Sequence, residues 1–374
     1  MEAPRYEYSR SKIRKNIEYL KNLSAPYGLV VRYAVKANPH QEIIKMMNDS
    51  DMYFDASSSY EAAELIDQGV QGCRISLSSQ QSPHNLEDLL DAGVLFVATS
   101  IKQLKLFLEC NNHPSTIGVR INPDIGQGHN KRTSTGGVSA SFGIWHEYAD
   151  EVMNLARSGG IMIDRMHIHI GSGADPAIWR DVVERALAIT DKFKDVVSLD
   201  IGGGYKVHRF DEEPETDMVA VMKIFADALK SFGEKTSRQL RLEIEPGTYL
   251  VAPAGTLVAR VDDIVDTGKD GYMFLRLNTG MNDFLRSAIY GARHKIEVIN
   301  DTHNTQNYVV VGHNCESGDI FTPVAGNPEE IEARTLKQAK IGDEVLIHDV
   351  GAYCASMRVK GYNSFPDAIE MMVD

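Results

Sequence analysis

Along the first two-thirds of the chain, short apolar runs rich in β-branched residues alternate with stretches whose apolar positions recur at i, i+3 and i+4. The runs predict strands at Tyr27–Val35, Asp51–Asp55, Cys73–Leu77, Val94–Ala98, Thr116–Ile121, Ile161–Ile168, Val196–Ile201 and Leu240–Glu245. The helical spacing predicts helices at Ser9–Leu23, Ser58–Asp67, Ile101–Glu109, Ala149–Arg157, Ala177–Lys194 and Asp217–Phe232. Strand-then-helix alternation calls for a parallel sheet, and about eight units in roughly 220 residues fit a (β/α)8 barrel at least as well as an open doubly wound sheet. Beyond Gly255 the texture changes to strands without long helices between them, at Thr256–Val265, Tyr272–Leu277, Tyr308–Val311 and Glu344–His348, separated by Gly, Asn and Asp turns. The expected organisation is a (β/α)8 barrel over residues 26–254 and a mostly β domain built from 1–25 and 255–374, the residues before the first helix crossing over to join it.

Composition narrows the class. The chain has 374 residues, 43% apolar and 24% charged, the balance of a globular protein with a substantial core. Its formal charge of −13 opposes a large nucleic-acid footprint. The four cysteines, Cys73, Cys110, Cys315 and Cys354, have neither C-x-x-C spacing nor the density of a secreted framework, which predicts no metal site and thiols that are mostly buried or incidental. The N-terminus has no uninterrupted apolar h-region, and no segment approaches the ~20 apolar residues of a membrane span. The expectation is a cytoplasmic protein with no membrane or nucleic-acid partner.

In a (β/α)8 barrel the chemistry sits at the carboxyl ends of the strands. There this chain places Lys36 after Tyr33-Ala34-Val35, Asp55, Arg120 before Ile121-Asn122-Pro123, His169-Ile170-Gly171-Ser172-Gly173, Gly202-Gly203-Gly204, and Glu245-Pro246-Gly247. Lys36 ends an apolar run, where desolvation would lower its pKa and make the amine a nucleophile. The triple glycine bares consecutive backbone N–H groups, and the late strands of a barrel commonly dock a phosphate. Gly171-Ser172-Gly173 offers a second small loop for the same anion. Glu245 buried at a strand end needs a positive partner, either a rim cation or a protonated pyridine nitrogen. His169 is either a packed core histidine or a ring that stacks on a flat cofactor. No G-x-x-x-x-G-K-[ST] or G-x-G-x-x-G frame supports a nucleotide site.

Taken together, Tyr33–Asn38, His169–Gly173, Gly202–Gly204, Glu245–Gly247 and, in the later domain, Cys315-Glu316-Ser317-Gly318-Asp319 resemble the barrel-type pyridoxal-phosphate amino-acid decarboxylases, which include the diaminopimelate, ornithine and arginine decarboxylases. The resemblance spans nearly the whole chain. It implies a barrel plus a β domain, pyridoxal 5'-phosphate as cofactor, and a homodimer with shared active sites. Lys36 would form the covalent link to the cofactor, His169 would stack on its ring, and Glu245 would pair with the pyridinium. Ser172 with Gly202, Gly203, Gly204 and Gly247 would cradle the phosphate, Tyr353 would reach it, and Asp55 and Arg120 would complete the cofactor site. Cys315 and Glu316 would come from the partner subunit, Cys315 to protonate the carbanion and Glu316 to bind the far amino group.

The segment Met281–His294 resembles the diaminopimelate branch, in which residues matching Arg286 and Tyr290 hold the far carboxylate of the substrate. This implies decarboxylation of meso-diaminopimelate to L-lysine. Another diamino or basic amino acid is the alternative substrate, and an amino-acid racemase or a non-catalytic regulator of decarboxylases the alternative role. Lys36, Cys315 and Glu245 favour decarboxylation. Two positions depart from the family pattern: Thr248 stands where arginine usually follows Glu-Pro-Gly, and Ser141 where lysine usually precedes Phe-Gly. Gly126–Gly137, rich in Gly, Ser, Thr and His, is the expected flexible loop.

Overall fold

The computed structural model describes residues 2–126, 135–210 and 213–374. The loop expected to be flexible, Gly126–Gly137, falls for the most part outside the described residues. The chain divides into two compact units, one of residues 17–206 and 215–247, the other of residues 1–16, 207–214 and 248–374.

After β1 (Arg5–Ser9) and α1 (Arg10–Lys21), the first unit is laid down by β2 (Leu29–Ala34), α2 (Gln41–Asp49), β3 (Tyr53–Ala56), α3 (Ser59–Asp67), β4 (Ile75–Leu77), α4 (Leu86–Asp91), β5 (Leu95–Ala98), α5 (Ile101–Glu109), β6 (Thr116–Asn122), the short β7 (Ile144–Trp145), α6 (Ala149–Ser158), β8 (Met162–His167), α7 (Pro176–Thr190), β9 (Ser198–Asp200), α8 (Met218–Thr236) and β10 (Arg241–Ile244). Every pairing among β2–β6 and β8–β10 is parallel, and β10 pairs with β2, so eight strands close into a barrel. All eight expected strands are present. The helices at Gln41–Asp49 and Leu86–Asp91 were not anticipated; the second spans only six residues, while the first carries an apolar face of Ile43, Ile44 and Met47 that the sequence reading passed over. Helix starts follow capping chemistry: Ser58, Ser100, Asp175 and Asp217 each accept a backbone N–H of the first turn.

Alternation along the strands decides what fills the barrel. Residues i and i+2 of a strand share a face. On β10, Leu242 and Ile244 are fully buried on one face, while Glu243 and Glu245 share the other. Register sets Arg165 beside Ser198 and His167 beside Asp200, then Ser198 beside Arg241 and Asp200 beside Glu243. The interior of this barrel is therefore polar in layers. The lower layer is satisfied: Glu243, fully buried, accepts from Arg32 Nε at 2.6 Å, Arg165 Nη1 at 3.1 Å, Arg241 Nη2 at 3.2 Å and the Ser198 hydroxyl. Burial pushes its carboxyl up, and the Arg32 and Arg165 guanidiniums more than reverse this, to about 2.

The second unit is mostly β. Its principal sheet contains β11 (Gly255–Asp266), which follows the short α9 (Thr248–Val251), then β12 (Met273–Leu277) and, after α10 (Arg286–Tyr290), β13 (Ile296–Ile299) and β14 (Thr305–Val311). β15 (Pro323–Val324) and β16 (Asn327–Ile331) form a separate ribbon, and the large sheet is completed by β17 (Arg334–Lys337), β18 (Glu344–His348) and β19 (Ile369–Val373). β1 crosses over to lie between β11, antiparallel, and β19, parallel.

The division differs from the sequence expectation at three places. α1 changes unit at residue 17 rather than at 26. Thr248–Ala254 packs with the β unit, where Gly351 donates to Ala252 O at 3.1 Å and Asn16 to Leu250 O at 2.9 Å. Residues 207–214 also join it, because Phe210 is held by the Arg293 and Arg334 guanidiniums at 4.9 and 5.2 Å from its ring centre. Among the described residues no helix is long and apolar enough to cross a membrane.

Glu243→Ala leaves Arg32 and Arg165 as uncompensated buried cations, and breaking a buried pair in this way costs about 3–5 kcal/mol. Urea unfolding of the variant should show a loss of that order, whereas a loss under about 1 kcal/mol would mean that the cluster adds little beyond a surface ion pair.

Candidate active site

The carboxyl ends of the barrel strands carry the polar side chains, and they are unequally satisfied. Lys36 lies in a single 3-10 turn after β2, its Nζ 3.0 Å from Asp55 Oδ2 and 2.9 Å from Ser57 Oγ. Asp55 is fully buried and Ser78 also donates to it, at 3.4 Å. The Lys36 side chain is 39% exposed although Val35, Ala37 and Asn38 around it are buried, so the expectation of a desolvated amine is corrected: the side chain reaches the rim, where a buried carboxylate pairs with it.

One layer above Glu243, Glu245 is 4% exposed and its Oε1 has no hydrogen-bond partner among the described residues. His167 Nε2 is 3.5 Å from Glu245 Oε2, beyond a good hydrogen bond, and neither ring nitrogen of His167 is otherwise partnered. Burial, followed by the neighbouring Asp200 and Asp55 carboxylates, pushes Glu245 well above the ordinary carboxylate range, against the pull of Lys36 and Arg120. Asp200 rises to about 6, through burial first and Glu243 second. The ligand atoms of His167, Asp200 and Glu245 all lie within 4.8 Å of one another, a buried donor set short of positive charge. Arg120, 8% exposed, rests over the Phe142 ring at 5.2 Å and leaves Nη2 without a partner among the described residues.

His169 follows His167 by two residues and is half-buried, with an unpartnered Nδ1. Gly202, at φ +75°, packs against its ring so closely that a Cβ there would come within 2.5 Å of Nδ1. The turn is locked by Asp200, whose Oδ1 accepts the Gly202 N–H at 2.8 Å. Gly204, at φ +104°, comes so near the other loop that a Cβ would lie 1.9 Å from Gly171 O, and Gly173 N–H donates to Gly204 O at 3.2 Å. The loops carrying Ser172 and the triple glycine are therefore joined through their backbones. Gly247 follows Pro246, whose carbonyl accepts from Ala34 N–H at 3.4 Å. Lys36, Asp55, Arg120, His169, Glu245 and both glycine loops thus share one end of the barrel, together with His167, Asp200 and Ser57, which the sequence reading did not name. The His-x-His spacing and the Asp two residues before Gly202 were the available signals, since a two-residue step puts them on the same strand face.

The other expected residues belong to the β unit. Cys315 is exposed, and its N–H donates to Asn363 Oδ1 at 2.7 Å. Its loop is shaped by buried Asp319, which accepts from the N–H groups of Met281 at 2.6 Å and Asn314 at 2.8 Å. Glu316 accepts from Gly318 N–H at 3.1 Å and from the Tyr362 hydroxyl at 3.3 Å, which together hold its carboxyl below the ordinary range. Arg286 lies over the Tyr290 ring at 5.8 Å. Tyr353 is held at φ +56° beside the buried Cys354. Of the four thiols, Cys354 is buried, Cys110 half-buried, and Cys73 is exposed like Cys315.

Residues 10–252 match the family profile described as pyridoxal-dependent decarboxylase, pyridoxal binding domain. The chain is 32% identical to a diaminopimelate decarboxylase of Streptomyces coelicolor over all of its own length and 84% of the relative's. It is 30% identical to one from Methanothermobacter thermautotrophicus over 99% and 86%. A crystal structure of a diaminopimelate decarboxylase superimposes with a TM-score of 0.90 at 29% identity, covering 99% of this chain and 88% of that one. The Helicobacter pylori diaminopimelate decarboxylase complexed with L-lysine gives 0.85 at 26% identity, with 100% and 92% covered.

Burial first, and then the Arg120 and Lys36 charges, holds both His167 and His169 well below the ordinary imidazole pKa. At pH 6, where a free imidazole is mostly protonated, both should be neutral by nitrogen-15 NMR; imidazolium signals from either at that pH would contradict the buried arrangement.

Proposed function

The chain belongs to the pyridoxal-dependent decarboxylase family, and on that premise we propose that it is a pyridoxal-phosphate carboxy-lyase whose substrate is meso-diaminopimelate and whose product is L-lysine. The observation that carries the reading is the pattern of unmet polar groups at the carboxyl end of the barrel. Glu245 Oε1 and Arg120 Nη2 are buried without partners among the described residues, and two glycine loops joined through their backbones lie at the same end of the barrel. These needs match a flat cationic ring that carries an anion.

When bound, pyridoxal phosphate supplies an electron sink for the pair released as carbon dioxide leaves. In this reading Glu245 holds the ring nitrogen in its protonated form, and His169 lies against the ring face. Ser172, Gly202, Gly203, Gly204, Gly247 and Tyr353 hold the phosphate, and Arg120 contributes positive charge. Lys36 provides the amine that links to the cofactor, kept in place by Asp55 and Ser57. Neutral His169 suits contact with a cationic ring, since a second cation there would repel it. In the homodimer each copy lends Cys315 and Glu316 to the other's site, Cys315 returning a proton to Cα and Glu316 receiving the amino group at the far end. The exposure of Cys315 is consistent with that task. Arg286 and Tyr290 take the far carboxylate, for which a guanidinium fork is suited. The protein works in the cytoplasm, where its free thiols stay reduced.

Carbon dioxide release from a panel of meso-diaminopimelate, L-lysine, L-ornithine and L-arginine tests the substrate. Release should be fastest from meso-diaminopimelate. A clear preference for one of the others would replace it, and release from none would overturn the activity. Borohydride reduction of the loaded protein followed by peptide mapping should find the cofactor on Lys36, and a label elsewhere would displace that assignment. Cys315→Ala should lower kcat by about 10²–10⁴-fold, the usual worth of a positioned proton donor, with the cofactor absorbance unchanged. Full turnover in that variant would remove Cys315 from the chemistry.

A further inference from the structure

A set of half-buried cations lies within the β unit. Segment 207–214 is anchored there by Phe210, held by Arg293 and Arg334, and Arg334 Nη1 in turn donates to His294 O at 2.7 Å. Beside Phe210, the Arg209 side chain is only 10% exposed. It meets Glu213 through Nη1 at 3.4 Å, while its Nε is buried without a partner among the described residues. Arg286, whose carbonyl accepts from Ala292 N–H at 3.5 Å next to the Arg293 that holds Phe210, likewise has a buried Nε without a partner among the described residues, and its guanidinium lies over the Tyr290 ring. Burial first, and then the Arg286 charge, brings Arg209 down to about 10, with Glu213 and Asp349 pulling the other way. Both arginines also press on His294, which burial already keeps neutral.

Two guanidiniums that repel each other, each with a buried N–H left over, are costly unless an anion joins them. A carboxylate has the oxygens to accept from both. We propose that Arg209 acts with Arg286 as a guanidinium pair that recognises the far carboxylate of the substrate, making Arg209 a specificity-determining residue. The inference rests on the decarboxylase reading above and extends it. It also accounts for discrimination, because an amino acid ending in an ammonium group would be repelled by the pair, whereas one ending in a carboxylate is drawn to it.

The test compares wild-type, Arg209→Gln and Arg209→Lys holoenzymes. A hydrogen bond to a charged group is worth roughly tenfold to a hundredfold in affinity. Arg209→Gln should raise KM for meso-diaminopimelate by about that factor and leave kcat within a few fold, while Arg209→Lys falls between it and wild type. Inhibition by L-lysine, which retains the same carboxylate, should weaken in parallel, and the cofactor absorbance should not change. Unchanged KM and L-lysine inhibition would overturn the proposal. So would loss of the cofactor absorbance at the same cofactor concentration, which would assign Arg209 to the phosphate. A wild-type enzyme that releases no carbon dioxide from meso-diaminopimelate would instead overturn the reading beneath.

Discussion

The two-residue step of one strand sets the electrostatics of the barrel. Glu243 and Glu245 share the inward face of β10, so closing the sheet buries two carboxylates one layer apart. In water each would be solvated; inside the barrel each needs a cation or a proton. The sequence pairs cations directly with only one of the two. Arg32, Arg165 and Arg241 converge on Glu243, from the strand itself and from two others, and drive it to its charged form. Glu245 has a histidine kept neutral by burial and two more carboxylates nearby, and its pKa moves in the opposite direction. The lower layer is satisfied within the barrel, and the upper layer is left with an unmet demand for positive charge or a proton.

The rest of the rim follows from that split. Asp200 is shared between the two layers: it pairs in register with Glu243 and locks the Gly202 turn through a backbone N–H. That turn presses on His169 and joins the neighbouring glycine loop, so the surfaces for a ring and for an anion are built from the same few residues. Lys36 pairs with Asp55 at the rim, its side chain part-exposed among buried neighbours while Asp55 stays fully buried. In the β unit the same logic recurs with opposite sign, where Arg209 and Arg286 form a cationic pair that calls for an anion.

How far the sequence was legible depends on the range of the interaction involved. The eight barrel strands could be read because buried parallel strands are short apolar runs between turns, and the rim residues because polar or glycine-rich tripeptides end those runs. The six-residue helix Leu86–Asp91 escaped because it is under two turns long, and Gln41–Asp49 escaped although its apolar face of Ile43, Ile44 and Met47 was there to be read. His167 was hidden because a histidine inside a strand looks like a core residue until its partners from other strands are known. Arg209 was hidden for a stronger reason: nothing local in Lys206–Phe210 says that this segment leaves the barrel for the β unit. The role proposed for Cys315 rests on its motif, since an exposed thiol on a loop carries no local sign of its use.

The central claim is that Glu245 is buried at a cost that the cofactor ring relieves. Thermal unfolding of wild type and Glu245→Gln, each with and without pyridoxal phosphate, tests it most directly, because a ligand stabilises in proportion to its affinity for the folded state. The account predicts that the cofactor-free variant is as stable as wild type or more so, and that the rise in Tm on adding the cofactor is sharply reduced. A variant that is destabilised without the cofactor and still gains the full rise in Tm would contradict it, making Glu245 part of the barrel's scaffold rather than of its site.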